Sequence, residues 1–131
     1  MIAVDTNIVV RLLTRDNEEQ YMASHRLFAR ESIFVADSVV LECEWVLRHA
    51  YDFAPADIAD AFRNLFGLPN VTLANAHRMA RVLEWHATGL DFADAMHLAL
   101  SEHSDELRTF DKSFAKRAKG LSSCMVSVAS R

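Results

Sequence analysis

The stretch Met1-Ile2-Ala3-Val4-Asp5-Thr6-Asn7-Ile8-Val9-Val10-Arg11-Leu12-Leu13 decides the fold class. Ile2-Ala3-Val4 is a short apolar run of strand character, and a strand so near residue 1 is ordered only if it is stitched into a sheet. Asp5 follows it directly. From Asn7 to Leu13 the apolar residues Ile8, Val9, Leu12 and Leu13 suit a short helix.

The same alternation continues outward. Asp16-Asn17 breaks the first helix, and Glu18 to Arg30 reads as a second, with Tyr21, Leu27 and Phe28 on one face and the small Ser24 between them. Ile33-Phe34-Val35-Ala36 is a second strand. Asp37 or Ser38 then caps a helix that carries Val39, Glu42, Trp45, Val46 and His49 on one face. Pro55 suits the first turn of a helix running to about Phe66, with Ile58, Phe62, Leu65 and Phe66 as its stripe. Val71-Thr72-Leu73 is a third strand, and Ala76 to Ala87 a helix stopped by Gly89. Asp91 caps a helix to about His103. Leu107 to Phe110 is a fourth strand, Lys112 to Lys119 a short helix, and Met125 to Val128 a final strand.

Short strands alternating with helices imply an α/β fold: a parallel sheet covered by helices on both faces. Ligands of such sheets bind outside the carboxyl ends of the strands. With 131 residues, no repeat and no linker, the chain is expected to form one domain, residues 1–131. Three glycines and two prolines are too few for the turns of an all-β fold.

The net charge of −4 counts mildly against a generic nucleic-acid coat protein, which would be basic. An acidic enzyme still acts on RNA if its acids surround a metal and its basic residues lie at the rim. Cys43 and Cys124 are far apart and form no C-x-x-C, so two reduced, buried thiols are expected. Asp5 interrupts any signal peptide, and no apolar stretch is long enough for a membrane span, so the expected location is cytoplasmic.

Four acids fall at or near helix starts. Asp5 follows the first strand and Asp111 the fourth; each also suits a helix N-cap. Glu42 has Val39, Trp45 and Val46 as helical neighbours and is expected to face inward, where an unpaired carboxylate is costly; a pairing with Arg48 or Arg11 would relieve it. Asp94 shares a face with Leu90, Asp91, His97 and Leu98, and Asp91 reads as a cap for that helix. If these acids converge, repulsion between carboxylates ~4 Å apart is about 4 kcal/mol at an effective dielectric of roughly 20. A cation relieves it, and oxygen ligands favour Mg²⁺ or Mn²⁺. Phosphodiester hydrolysis is the chemistry such a cluster serves. The six histidines form no metal set, and His97 is expected to pack or bond within the core.

Val4-Asp5-Thr6-Asn7, Val39 to Leu47 around Glu42, Phe92-Ala93-Asp94-Ala95, and Thr109-Phe110-Asp111-Lys112-Ser113-Phe114 resemble the four signature segments of PIN-domain toxins of the VapC type. The resemblance runs from residue 4 to residue 114. It implies a three-layer α/β/α sandwich with a central parallel sheet. It implies an endoribonuclease dependent on Mg²⁺ or Mn²⁺, the toxin of a type II toxin–antitoxin pair, forming a homodimer and bound by a VapB-like antitoxin. Carried over, Asp5, Glu42, Asp94 and Asp111 match the acidic quartet, with Asp5 and Asp94 as first metal ligands. Asn7 and Thr109 match polar positions that hold the carboxylates, while Asp91 stands outside the quartet. Arg11 and Lys112 lie within a few residues of Asp5 and Asp111 and are candidates to hold RNA phosphates; for Lys116 to Lys119 a solvated helix face is the better account. The helix with Tyr21, Met22, Leu27 and Phe28 is a candidate for part of the antitoxin groove, although a core face explains it equally well.

Two other readings stay open on sequence. A haloacid-dehalogenase-like phosphatase also places an Asp after its first strand, but it needs a second Asp where Asn7 stands. A non-catalytic PIN-like RNA-binding or scaffolding module would have no need of four mutually repelling acids.

Overall fold

The computed structural model describes residues 1–130, which form two compact units, the first from Met1 to Ala76 and the second from His77 onward. Every strand pairing is parallel, as the alternation of elements requires.

In the first unit, β1 (Ile2–Ala3), α1 (Thr6–Thr14), α2 (Glu18–Arg30), β2 (Ile33–Val35), α3 (Asp37–His49), α4 (Pro55–Phe66) and β3 (Val71–Leu73) follow in order. The strands form one sheet in the order β1-β2-β3, in register Ile2 to Ile33 and Ile33 to Val71. The central strand points Ile33 and Val35 into the core, and both are fully buried. On α2, Ser24 and Phe28 are buried with Tyr21 and Leu27 half-buried beside them. Asn70 ties the end of α2 to the entrance of β3: its Nδ2 donates to the carbonyls of Phe28 at 2.6 Å and Glu31 at 2.7 Å.

Helix α3 turns a different face inward from the one expected. Val40, Cys43, Glu44 and Leu47 are buried, whereas Glu42 is exposed and Trp45 is 57% exposed. The buried carboxylate is therefore Glu44, and Arg48 one turn on supplies the charge it needs, with Nε donating at 2.7 Å and Nη2 at 3.2 Å. The N-cap is Ala36, which makes no side-chain cap bond, and Asp37 is the first helical residue.

The second unit contains most of α5 (Ala76–Ala87), then α6 (Phe92–Leu100), β4 (Glu106–Thr109), α7 (Lys112–Arg117) and β5 (Met125–Val128). β4 and β5 pair in parallel from Glu106–Met125 to Thr109–Val128. Gly89 follows α5 at φ 110°, a conformation that L side chains rarely adopt, and this is what a glycine supplies there. Helix α6 ends at Leu100, short of the expected His103, because Ser101 closes it and Ser104 N–H bonds back to the Ser101 carbonyl. α7 likewise stops at Arg117, before Lys119, where Ala118 caps it. β4 begins one residue earlier than expected and ends at Thr109, and Phe110 lies outside it. Cys43 and Cys124 are free and buried, as expected. No helix among the described residues is long and apolar enough to cross a membrane.

Candidate active site

Asp5 leaves β1 in extended conformation and caps α1, its Oδ1 accepting the Thr6 N–H at 2.7 Å. The Thr6 hydroxyl donates to Oε1 of Glu42 on α3. One buried threonine thus engages both acids, the first through its backbone and the second through its side chain. Beneath them the Cys43 thiol bonds to the Thr6 carbonyl at 3.8 Å. Burial, and then the charges of Glu42 and Asp5, push that thiol up to about 12, so it stays protonated at neutral pH.

Asp5, Thr6, Glu42, Asn7, Val10, Arg11, Val46 and Tyr51 line a pocket of about 310 Å³. Arg11 is fixed at its rim. Its Nε donates to Gln20 Oε1 at 2.6 Å, and its Nη1 donates to Asp16 Oδ1 at 2.7 Å and to the Tyr51 hydroxyl at 2.9 Å. Tyr51 in turn donates to Asp16 Oδ2 at 2.6 Å. This network, led by the hydrogen bond to Asp16, raises the Arg11 pKa above its ordinary value. The Tyr51 hydrogen bond, followed by those from Thr14 and Arg11, lowers the Asp16 carboxyl. Of the residues singled out from the sequence in this unit, Asp5, Asn7, Arg11 and Glu42 line one pocket. Sequence reasoning missed Thr6, Tyr51 and Asp16. It is the Thr6 hydroxyl, rather than the Asn7 amide, that holds Glu42.

In the second unit the acids gather at two helix starts. Asp91 caps α6 by accepting the Asp94 N–H at 3.3 Å. Asp111 caps α7 by accepting the Phe114 N–H at 3.1 Å, and its own N–H is held by the Thr109 hydroxyl at 3.0 Å. Thr109 therefore fixes the turn that carries Asp111 rather than the carboxylate itself. Asp94 is half-buried, and its pKa is raised by desolvation first, then by the charges of Asp91 and Asp111, against a lowering by His97. His97 is exposed, not packed in the core, because α6 buries Phe92, Ala95, Met96, Leu98 and Ala99 instead. Lys112 lines a surface groove of about 590 Å³ with Ser113, Lys116 and Arg117. Arg117 is tethered there, its Nη1 donating to the Gly89 carbonyl at 2.8 Å.

The family model described as the PIN domain matches residues 2–120. The chain belongs to the PIN domain family. PIN domains are generally nucleases and typically use divalent metal ions. No curated protein matches the chain. Membership in the PIN family sets aside the phosphatase reading of Asp5.

The donor chemistry fits a PIN nuclease's divalent cation. Asp5 and Glu42 offer only oxygens, and Thr6 engages one oxygen of each. Among the described residues, no group of three or more His, Cys, Asp or Glu side chains is arranged to hold a metal ion. The pair in the first unit is thus a partial ligand set.

Proposed function

We propose that this PIN-domain protein is an endoribonuclease dependent on Mg²⁺ or Mn²⁺, the toxin of a VapBC-like pair. Its match to the family model runs through both compact units, which supports reading residues 1–131 as one PIN domain. The observation that carries the reading is the Asp5–Thr6–Glu42 arrangement. Two carboxylates lie on a pocket that also holds a guanidinium, and one buried threonine engages both, Asp5 through its backbone N–H and Glu42 through its hydroxyl.

In this reading Asp5, Glu42, Asp94 and Asp111 hold the divalent ion, which, when bound, supplies Lewis acidity and an activated water for phosphodiester hydrolysis. Thr6 keeps the Asp5 and Glu42 oxygens oriented. Arg11, locked by Asp16 and Tyr51, offers fixed positive charge for a phosphate, and Lys112 offers another. A homodimer and a VapB-like antitoxin complete the proposal, and both rest on the resemblance alone.

Incubation of the purified, antitoxin-free protein with total RNA tests it, with Mg²⁺ or with EDTA. Cleavage should require the metal and should be lost in Asp5→Asn and Asp94→Asn. Full cleavage by Asp94→Asn removes that residue from the site. RNA binding without cleavage in either condition would make the protein a binding module.

A further inference from the structure

The exposed face of α3 carries more than Glu42. One turn further along it stands Trp45, and one turn beyond that His49. Their rings lie 4.6 Å apart between centroids with planes 40° apart, so His49 braces one side of the indole. The other tryptophan of the chain, Trp85, is only 5% exposed. Trp45, at 57%, is held in place yet open to solvent.

The geometry points to Trp45, braced by His49, as a stacking platform for a nucleobase next to the scissile phosphate of a single-stranded RNA. This inference rests on the nuclease reading of the Asp5–Glu42 pocket. Trp45 stands one turn from Glu42 on the exposed side of α3, and Val46, the residue after it, lines that pocket with Glu42, so the ring lies next to the pocket's α3 wall in sequence and on the helix. Its surroundings suit a base better than a protein. The other exposed residues of α3 are Ser38, Glu42 and His49, and a lone aromatic ring among polar groups is not an apolar patch of the size that protein partners cover. Stacking on an aromatic ring contributes without choosing among bases, because every base has a π-face. Trp45 would therefore act as a positioning residue. It would strengthen RNA binding and leave the chemical step to the acids.

The test is a fluorescence titration of the full chain with a single-stranded uridine hexanucleotide and with the matching abasic ribose-phosphate strand, in EDTA and in Mg²⁺. The uridine strand should quench the fluorescence and the abasic strand should not. Trp45→Phe should abolish the quenching, because the remaining Trp85 is buried, yet keep affinity within about threefold of the wild-type protein. Trp45→Ala should weaken binding about tenfold and raise KM with kcat nearly unchanged. Equal quenching by both strands, or unchanged affinity in Trp45→Ala, overturns the platform. So does a change in sedimentation of Trp45→Ala without a change in RNA affinity, which would make the ring a protein contact. Cleavage distinguishes the two levels. Mg²⁺-dependent cleavage indifferent to Trp45 leaves the nuclease and removes the platform. Base-dependent quenching without cleavage keeps the base contact and removes the nuclease.

Discussion

The hydroxyl of Thr6 donates to the carboxylate of Glu42, a residue 36 positions away on another helix. Replacing Thr6 with Val keeps its shape and removes the hydroxyl that joins α1 to Glu42. Side chains that orient metal-ligating groups typically contribute about 10–100-fold. Thr6→Val should lower metal-dependent RNA cleavage within that range while changing unfolding free energy by only about 1 kcal/mol. Thr6→Ser should restore cleavage. Activity assays set beside urea unfolding of the three proteins check this.

The Glu44–Arg48 pair should behave as a buried ion pair with one half-exposed partner. Removing Arg48 leaves a buried carboxylate uncompensated, which costs about 3–5 kcal/mol when burial is complete. Since Arg48 is 34% exposed, water reaches its end of the pair and the lower figure applies. Arg48→Met should destabilise by about 3 kcal/mol, and Glu44→Leu combined with it should recover most of the loss. A double-mutant cycle by urea denaturation measures the coupling.

Those residues also show how far the sequence reaches. The succession of strands and helices along the chain, the acids after β1 and β4, the caps by Asp5, Asp91 and Asp111, and the buried face of α2 follow from local chemistry, and each was readable; the pairing of the strands as β1-β2-β3 and β4-β5 was not. The face of α3 was not. Both Val39/Trp45/Val46 and Val40/Cys43/Leu47 form apolar stripes at helical spacing, and each includes a glutamate. The weight of Trp45 favoured the wrong one. The spacing of Glu44 and Arg48, four residues apart, was the available signal, because such a pair meets on one face whereas Glu42 and Arg48 do not. Tyr51 and Asp16 were illegible for another reason. Tyr51 joins Arg11 and Asp16 from 40 and 35 residues away, and no local pattern encodes such a meeting.

Asp94 should make stability depend on pH. Its folded pKa is raised, chiefly by desolvation, so the folded state holds the proton more tightly than the unfolded chain. The resulting penalty is present at neutral pH, where the group is ionised, and disappears as pH falls through the folded pKa toward the unfolded value. In metal-free buffer Asp94→Asn should therefore raise stability at pH 7 by about 0.5 kcal/mol, roughly 2 °C in Tm, since the group is only half-buried. The gain should vanish near pH 4. Thermal melts in EDTA across that range decide it; a variant less stable at pH 7 contradicts the assigned cause.

Gly89 should resist replacement. A Cβ there meets φ 110° and lies 3.0 Å from Arg117 Nη1. The guanidinium is able to move aside, but the backbone is not. Gly89→Ala should cost more than ~1 kcal/mol, and Arg117→Ala should leave most of that cost in place. Urea unfolding of the single and double variants separates backbone strain from crowding.

Glu42 and Glu44 are two residues apart on α3, which places them roughly 200° apart around the helix axis. The inward ion pair of Glu44 and Arg48 therefore works as an index mark for the azimuth of the whole helix. A substitution at Arg48 that let α3 roll by a fraction of a turn would swing Glu42 off its threonine and turn the indole with it. Distant drift at Arg48 would then silence the pocket while every one of its own side chains remained in the sequence.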